Sequence, residues 1–338
     1  MTAPASPSAD LAAASPDRRA ALAGLAGLAG RIVDGVERVV RGRRDEVELV
    51  VAAVLAGGHV LLEDVPGTGK TTLARALART LGGTFSRVQA TADLLPADIT
   101  GASVWDPPSG AFRFVPGPVF AHVVLADELN RTPPRTQSAF LEVMDEGAVT
   151  VDGTRHPVPD PFVLVATQNP IEQHGVYPLP EGQLDRFAVR LRLGRLGADT
   201  EAAVLREQLA GPTVDRLAPV TTPQALVEAR AAVRRLHVAD PVLRYAVEIV
   251  AATRDDDRIR LGASARAGIA LVRCAQARAV LAGRDHVLPD DIRALAVPVL
   301  AHRVRPAAAA AGSATADLIV RELAGSVPIP VAAAPARP

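Results

Sequence analysis

The stretch that decides the fold is HVLLEDVPGTGKTTLARALARTL, residues 59–81. It begins with a short apolar run typical of a buried strand, passes through a loop of small residues, and continues with apolar residues at helical spacing. Strand, glycine-rich loop and helix in this order are the context that a phosphate-binding loop requires. The stretch therefore predicts a strand over 59–62, a phosphate-binding loop and a helix over 71–81.

The loop has the chemistry to hold ATP. Small residues allow backbone N–H groups to close around phosphate oxygens, and the start of the helix adds partial positive charge. Lys70 is predicted to reach the β- and γ-phosphates, and the Thr71 hydroxyl to bind Mg²⁺. The strict pattern has glycine at Asp64, which we expect to adopt a conformation easier for glycine. The predicted nucleotide-binding residues are Val65, Pro66, Gly67, Thr68, Gly69, Lys70, Thr71 and Thr72.

The composition of the chain supports this interpretation. Lys70 is the one lysine among 37 basic residues, and Asn130 and Asn169 are the two asparagines. A lysine ammonium is compact and fits into a loop, whereas the arginine guanidinium is a broad planar fork. In a chain that otherwise uses arginine, the lysine in this loop indicates a chemical need. The survival of one lysine by chance is the alternative.

Two further strand ends supply polar side chains. Asp127 and Glu128 follow the predicted strand 120–126. Asp127 is predicted to hold Mg²⁺ through water beside Thr71, and Glu128 to act as the general base that polarises the attacking water. Asn169 follows the predicted strand 162–167 and can orient that water. Taken alone, the two carboxylates could be solvent contacts and the asparagine could cap a turn; their position after the loop favours catalysis.

Strands alternate with helices up to about residue 205, which predicts an α/β core with a parallel sheet covered on both faces. A fourth strand is predicted over 188–193. The later part of the chain reads as helices only, with Asp240 and Ser264 as predicted N-caps. The predicted domains are a core over 18–205 and a lid over 206–330, with Ala/Pro-rich tails over 1–17 and 331–338; the lid helices are 223–237, 241–254, 264–282, 290–302 and 313–324.

Charge and composition exclude several classes of protein. Basic and acidic residues both number 37, so no global field would hold a polyanion, and nucleic acid is an unexpected partner. One cysteine, Cys274, excludes a disulfide framework and is expected to be an inert core thiol. No apolar run reaches the length of a membrane span.

These motifs together resemble the MoxR family of AAA+ ATPases. The resemblance covers about residues 20–330 and implies an AAA+ P-loop core, with a parallel sheet flanked by helices, plus a small all-helical lid. The matching stretches are GGHVLLEDVPGTGKT, VVLADELNRTPPRTQSAFLEVMDEG, ATQNPIEQHGVYPLPEGQLDRF and LGASARAGIALVRCAQARAVLAGRDHV.

The resemblance also implies roles for single residues. Asn169 would be sensor 1, and Arg186 the arginine finger that reaches the γ-phosphate in the next subunit of a ring. Arg266 would be sensor 2 and would reach the γ-phosphate of its own subunit from the lid; Ala265 stands where the family usually has proline. The loop around Val40 would line the adenine pocket. His302 and Arg303 receive no role beyond favourable charge at a helix end.

Two inserts are predicted, over about 91–118 and 149–158, each with a β-hairpin. In the family they face the pore of the ring and could grip a client polypeptide; capping the core is the alternative. Neither insert shows the basic run or stacked aromatic side chains that single-stranded nucleic acid would favour.

The resemblance implies a cytoplasmic, ATP-dependent, chaperone-like remodeller that works as a hexameric ring. Family clients are often proteins with a von Willebrand factor A domain, or metalloenzymes that need cofactor insertion. Two alternatives remain open. One is a nucleic-acid motor or loader on the same core, and the other is a nucleotide-gated scaffold that barely hydrolyses ATP.

Overall fold

Five parallel strands form the central sheet of the protein, whose computed structural model describes residues 16–169, 175–209, 211, 214–307 and 313–330. The strands are β1 (His59–Glu63), β2 (Phe85–Gln89), β5 (Val123–Asp127), β8 (Val163–Gln168) and β9 (Phe187–Leu191). Their order is β2-β5-β8-β1-β9, and every neighbouring pair is parallel. The predicted parallel sheet is confirmed.

Two strands differ from the sequence prediction. β2 lies outside the predicted strands, because its sequence FSRVQ is largely polar and it forms a partly exposed edge of the sheet. β5 begins at Val123 and not at Phe120, since the chain turns just before it, where Phe120 N donates a hydrogen bond to Gly117 O at 3.1 Å.

Helices cover both faces of the sheet, because side chains of a strand alternate between its two faces. In β1, Val60 and Leu62 pack into one apolar cluster and Leu61 into a second. The first cluster includes residues of the helices α1 (Pro16–Glu37), α2 (Arg44–Leu55) and α3 (Lys70–Thr80); the second includes residues of α5 (Pro134–Glu146). Of the tails predicted over 1–17 and 331–338, residues 1–15 and 331–338 lie outside the described residues, and Pro16 already begins α1.

Both predicted hairpins form. After the short helix α4 (Pro96–Thr100), β3 (Gly101–Asp106) pairs with β4 (Ala111–Pro116), and β6 (Ala148–Val151) pairs with β7 (Thr154–Pro157).

The two hairpins carry ring contacts that the sequence analysis did not describe. Trp105 and Phe112 make an edge contact across the first hairpin, with ring centroids 5.3 Å apart. Phe114 of the same hairpin stacks on His156 of the second, at 3.8 Å. The pairing lies across strands, where sequence order does not reveal it.

Helices build most of the lid. α7 (Ala198–Leu209) precedes it and lies outside the predicted helices. A short antiparallel pair of strands, β10 (Ile259–Leu261) and β11 (Arg305–Pro306), shows that the lid is not wholly helical. The lid helices are α8 (Pro223–Arg234), α9 (Asp240–Asp255), α10 (Ala265–Leu281), α11 (Pro289–Leu300) and α12 (Ser313–Ser326).

The caps of the lid helices agree with the prediction in one of two cases. Ser264 caps α10, with its hydroxyl accepting a hydrogen bond from Ala267 N at 3.2 Å. Asp240 is not an N-cap, because α9 begins at that residue and Ala239 occupies the cap position.

The lid packs directly against the core, and one apolar cluster runs through both. Two buried residues tie the lid to the start of β9: His302 and Arg303, for which only a favourable charge at a helix end was expected. His302 Nε2 lies 3.0 Å from Phe187 O, and Arg303 Nη2 donates to the same oxygen at 2.7 Å. Cys274 is fully buried in the lid, and burial raises the pKa of its thiol to about 12, which agrees with an inert thiol. Among the described helices, none is long and apolar enough to cross a lipid bilayer.

His59, at the amino end of β1, is a buried histidine with two backbone partners. Its Nδ1 accepts a hydrogen bond from Leu164 N at 3.1 Å, and its Nε2 lies 3.3 Å from Met144 O. One ring nitrogen accepts while the other donates only in the neutral imidazole. Burial lowers the pKa of His59 to about 4.

Acid should therefore destabilise the fold through His59. Its pKa in the folded protein lies below the ordinary value of 6.5, so the unfolded chain binds more protons as pH falls from 6.5 towards 4. We expect this group to remove about 2 kcal/mol of unfolding free energy between pH 7.5 and pH 5. The gap in stability between wild type and His59→Gln, measured by urea unfolding, should shrink by that amount. An equal gap at both pH values would contradict this assignment.

Candidate active site

The loop between β1 and α3 has the backbone that a phosphate site needs. Gly67 and Gly69 have φ values of 84° and 94°, a left-handed region where an L side chain is strained. Gly69 is the N-cap of α3, and Leu73 N donates to Gly69 O at 2.9 Å. The first N–H groups of the helix thus point towards the loop, which gives this edge of the sheet partial positive charge.

Asp64 plays a different part from the one expected. Among described non-glycine residues, positive φ occurs at Glu128 and Asp152, so Asp64 does not take a glycine-like conformation. Its buried carboxylate instead accepts hydrogen bonds from Val65 N at 2.9 Å and from Gly194 N at 2.7 Å. Asp64 therefore fastens the loop to the segment that follows β9, a function that the motif alone does not reveal.

Lys70 lies inside the loop that precedes it. Its Nζ donates hydrogen bonds to Asp64 O and Val65 O, each at 2.8 Å. Burial lowers the pKa of Lys70, and the carboxylates of Asp64, Asp127 and Glu128 oppose this shift. The ammonium group is thus held in the loop, under the electrostatic influence of the carboxylates at the end of β5; its predicted reach to the β- and γ-phosphates stays a prediction.

Asp127 and Glu128 are fixed by one hydroxyl group. Thr167 Oγ1, on the neighbouring strand β8, donates to Asp127 Oδ1 and accepts from Glu128 N, both at 2.8 Å. Asp127 Oδ2 also accepts a hydrogen bond from Arg87 Nη2 at 2.6 Å, and Glu128 Oε2 lies 2.8 Å from Arg131 Nε. Glu128 has a φ of 59°, which turns the chain away immediately after the strand. Thr167 is a positioning residue that the sequence prediction missed.

Asn169 follows β8, which lies between β5 and β1 in the sheet. Gln168 O accepts a hydrogen bond from Asp64 N at 3.1 Å, so the end of β8 runs alongside the phosphate loop. Asn169 is buried at this edge. The strand order therefore brings Lys70, the two carboxylates and Asn169 to one edge of the sheet.

The segment around Val40 also lies at the phosphate loop. Val40 is buried, and Arg43 Nη2 donates to Gly194 O at 2.7 Å. Gly42 has a φ of 69°, and a Cβ there would lie 2.8 Å from Thr200 Cγ2. Residues 39–43 thus contact the segment 194–200, which Asp64 ties to the loop through Gly194; this agrees with the predicted place of the adenine base, and the contribution of Thr200 was not predicted.

An ion-pair network connects the strand before the loop to the lid. Arg190, whose side chain is 8% exposed, contacts Glu63 at 3.4 Å and Asp317 of α12. Arg192 Nη2 lies 2.6 Å from the same Glu63 carboxylate. The end of β1 and the last helix of the lid are therefore held by shared charges.

The two arginines predicted to be catalytic meet at one carboxylate. Asp145, near the end of α5, contacts Arg186 Nη1 at 2.6 Å and Arg266 Nη2 at 2.8 Å. The preceding residue, Met144, contacts His59 at the amino end of β1. Since a five-residue strand spans about 16 Å, this cluster lies at the opposite edge of the sheet from the phosphate loop.

This position corrects one expectation. Arg266 does not approach the phosphate loop of its own chain, so its predicted reach to the nucleotide of its own subunit is contradicted. Arg186 lies at the same outer edge, where a residue that serves a neighbouring subunit would have to be.

Comparison with known proteins identifies the class of protein. Residues 59–189 match the family model of the ATPase family associated with various cellular activities (AAA), and residues 251–323 match the AAA lid domain. The fold and these matches define an AAA ATPase core with its lid. A solved structure from Cytophaga hutchinsonii, of a protein assigned to the ATPases, superposes with a TM-score of 0.85 at 34% identity, and covers 93% of this chain and 98% of that one.

Relatives of known sequence narrow the family. The chain is 36% identical to Chaperone MoxR1 of Mycobacterium tuberculosis, over 94% of this chain and 88% of that protein. It is 33% identical to Protein MoxR of Paracoccus denitrificans, over 87% of this chain and 94% of that protein. It is also 47% identical to the uncharacterized protein YeaC of Bacillus subtilis, over 90% and 95%. The chain belongs to the MoxR family of AAA+ ATPases.

Replacement of Lys70 should abolish nucleotide binding. Lys70→Ala removes the charge in the loop, and Lys70→Arg places a planar fork where a compact ammonium fits. We expect both variants to lose ATP binding in a calorimetric titration. Arg79→Lys, on an exposed position of the same helix, is the matched control and should bind normally. Binding by Lys70→Arg at wild-type affinity would contradict the role given to the ammonium geometry.

Proposed function

We propose that the protein binds ATP with Mg²⁺, hydrolyses it, and uses the energy to remodel client proteins. The observation that carries the proposal is the convergence of Lys70, Asp127, Glu128 and Asn169 at the edge of the sheet where the phosphate loop lies. A cation, a general base and a polar amide at one such site are the parts that phosphoryl transfer to water uses.

The residues present fit Mg²⁺. Asp127 offers a carboxylate and Thr71 a hydroxyl, and such hard oxygen donors, together with phosphate oxygens and water, are what Mg²⁺ prefers. When bound, the ion neutralises charge on the phosphate oxygens. Thr167 donates to Asp127 Oδ1 and Arg87 to Asp127 Oδ2, which holds the carboxylate in place; each oxygen keeps a second lone pair for the ion or its water.

In the proposed reaction, Lys70 and the loop N–H groups bind the β- and γ-phosphates. Glu128 accepts a proton from the attacking water, which Asn169 orients towards the γ-phosphate. The hydrogen bond from Glu128 N to Thr167 Oγ1 fixes the backbone of the base, so its carboxylate enters the site at a defined angle. The products are ADP and phosphate.

The positions of Arg186 and Arg266 support a ring-shaped assembly of subunits. Because Arg186 and Arg266 lie at the edge away from their own phosphate loop, a complete site requires a second copy of the chain that places its loop against them. A ring of identical subunits gives every site such a neighbour. A hexamer is the proposed size.

The chaperone-like role rests on a relative and on the first hairpin. A relative over almost the whole chain is named a chaperone. In this protein, Trp105 is 51% and Phe112 71% exposed, although large aromatic side chains are usually buried. We propose that this pair contacts client polypeptides, among them proteins with a von Willebrand factor A domain or enzymes that await a metal cofactor. The proposed compartment is the cytoplasm, where ATP and Mg²⁺ are supplied.

The alternative functions receive less support. The exposed aromatic pair could stack on bases, but single-stranded nucleic acid also needs a positive groove for its backbone. Asp106 and Arg113 are the charged residues of β3 and β4, so the hairpin strands carry no net charge. A scaffold that barely hydrolyses ATP would not need a base fixed as firmly as Glu128.

Glu128→Gln tests hydrolysis. The amide cannot accept the proton of water, so we expect ATP binding to remain and turnover to fall about 10²–10⁴-fold. Steady-state phosphate release and a binding titration measure the two properties. Glu248→Gln, on the exposed surface of α9, is the control. If wild type itself turns over no faster than Glu128→Gln, the scaffold function replaces the ATPase.

Mixing of variants tests the ring. Arg186→Ala subunits retain their own loop and base, and Glu128→Gln subunits retain their arginines. If Arg186 acts across an interface, where an arginine finger is worth about 10³–10⁵ in rate, mixed assemblies should recover activity that neither variant has alone. A mixture of Glu128→Gln with Lys70→Ala, which damages the same half of the site twice, should recover nothing. No recovery in the first mixture would place Arg186 in its own subunit's site.

A further inference from the structure

Asp145 is the point where the core and the lid bring their predicted catalytic arginines together. Its side chain is 27% exposed. Oδ2 lies 2.6 Å from Arg186 Nη1, and Oδ1 lies 2.8 Å from Arg266 Nη2. Arg186 directly precedes β9 of the core, whereas Arg266 lies in the first turn of α10 in the lid. Each carboxylate oxygen thus holds one arginine from a different part of the molecule.

The carboxylate between the arginines solves an electrostatic problem. Two guanidinium groups that converge on one place repel each other, and a negative charge between them offsets the repulsion. A guanidinium has five N–H donors, so a contact through one terminal nitrogen leaves donors for a phosphate. Arg186 Nη1 is further fixed because it also donates to Leu141 O at 2.9 Å. The arrangement orients both arginines without using up their donors.

Further contacts fix the backbone segments that carry the two arginines relative to each other. Asp185, the neighbour of Arg186, accepts a hydrogen bond from Ser264 Oγ at 3.0 Å. Ser264 is the N-cap of the helix that carries Arg266. Arg303 Nη2 donates to Asp185 O at 3.0 Å, and its Nε lies 2.9 Å from Asp185 Oδ1. The bases of both arginine side chains are therefore fixed to each other, and Asp145 fixes their ends.

We propose that Asp145 is a positioning residue that holds Arg186 and Arg266 as one pair, ready to meet the triphosphate bound by an adjacent subunit. This inference rests on the proposed ATPase function. It assigns to the end of α5 a role in the rate of hydrolysis, although Asp145 lies at the far edge of the sheet from the nucleotide of its own chain. Asp145 touches the arginines and not the reacting atoms.

Asp145→Asn tests the proposal, with Asp145→Glu as the conservative variant. Misplacement of a catalytic group by about 1 Å can lower a rate about 10²-fold, so we expect kcat of Asp145→Asn to fall about 10–100-fold. KM and the Kd for ATP should stay near wild type, because Lys70 and its loop are untouched. Asp145→Glu restores the charge and should recover part of kcat. Glu146→Gln, one residue further on, is the control and should leave kcat unchanged.

A second arm separates positioning from a general loss of structure. In an Arg186→Ala, Arg266→Ala background, whose slow residual hydrolysis is followed in a single-turnover assay with protein in excess over ATP, Asp145→Asn should cost nothing further in rate, because no pair remains to be positioned. An equal loss in that background, or a fall in Tm that accounts for the loss in wild type, would overturn the proposal. A rise in kcat of Asp145→Asn would also overturn the proposal, since it would show that the carboxylate keeps the arginines away from the triphosphate. Failure of the proposed function is distinct, since wild type would then show no turnover dependent on Glu128.

Discussion

The parallel direction of the five strands is the constraint on which the rest of the structure depends. Because the strands run the same way, their carboxyl ends share one edge and their amino ends the other. The phosphate loop, Asp127 and Glu128 at the end of β5, and Asn169 after β8 all lie at the first edge. Arg186 lies at the second edge, immediately before β9, and the end of α5 places Asp145 at the same edge. The chain therefore carries the phosphate loop and the Arg186–Arg266 cluster at opposite edges of one sheet.

Much of this arrangement could be predicted from the sequence, because it depends on local patterns. The apolar run before the loop, the loop glycines and the single Lys70 specify the strand, turn and helix without knowledge of the rest of the chain. Asp127 and Glu128 follow a strand whose burial is evident from its composition. The caps were less predictable, since Ser264 and Asp240 both precede helical patterns and only the Ser264 side chain accepts a hydrogen bond from the helix start.

The parts that the sequence did not reveal depend on contacts between distant segments. β2 pairs at the sheet edge through its backbone, so its polar residues give no apolar signal. Thr167 acts through a hydroxyl that reaches the adjacent strand, and Asp64 through a carboxylate that reaches Gly194. The position of Arg266 depends on how the lid packs against the core, which no local pattern around the residue contains. Long-range packing, and not propensity, decided each of these cases.

The buried Arg190 has a mechanical consequence. It contacts Glu63, the last residue of β1, and Asp317 of α12. Glu63 is held at the same time by Arg192, so three charged side chains join the end of β1 to that helix. A displacement of the strand that ends in the phosphate loop therefore strains this ion-pair network unless α12 moves with it. The network couples the position of the phosphate loop mechanically to the last helix of the lid.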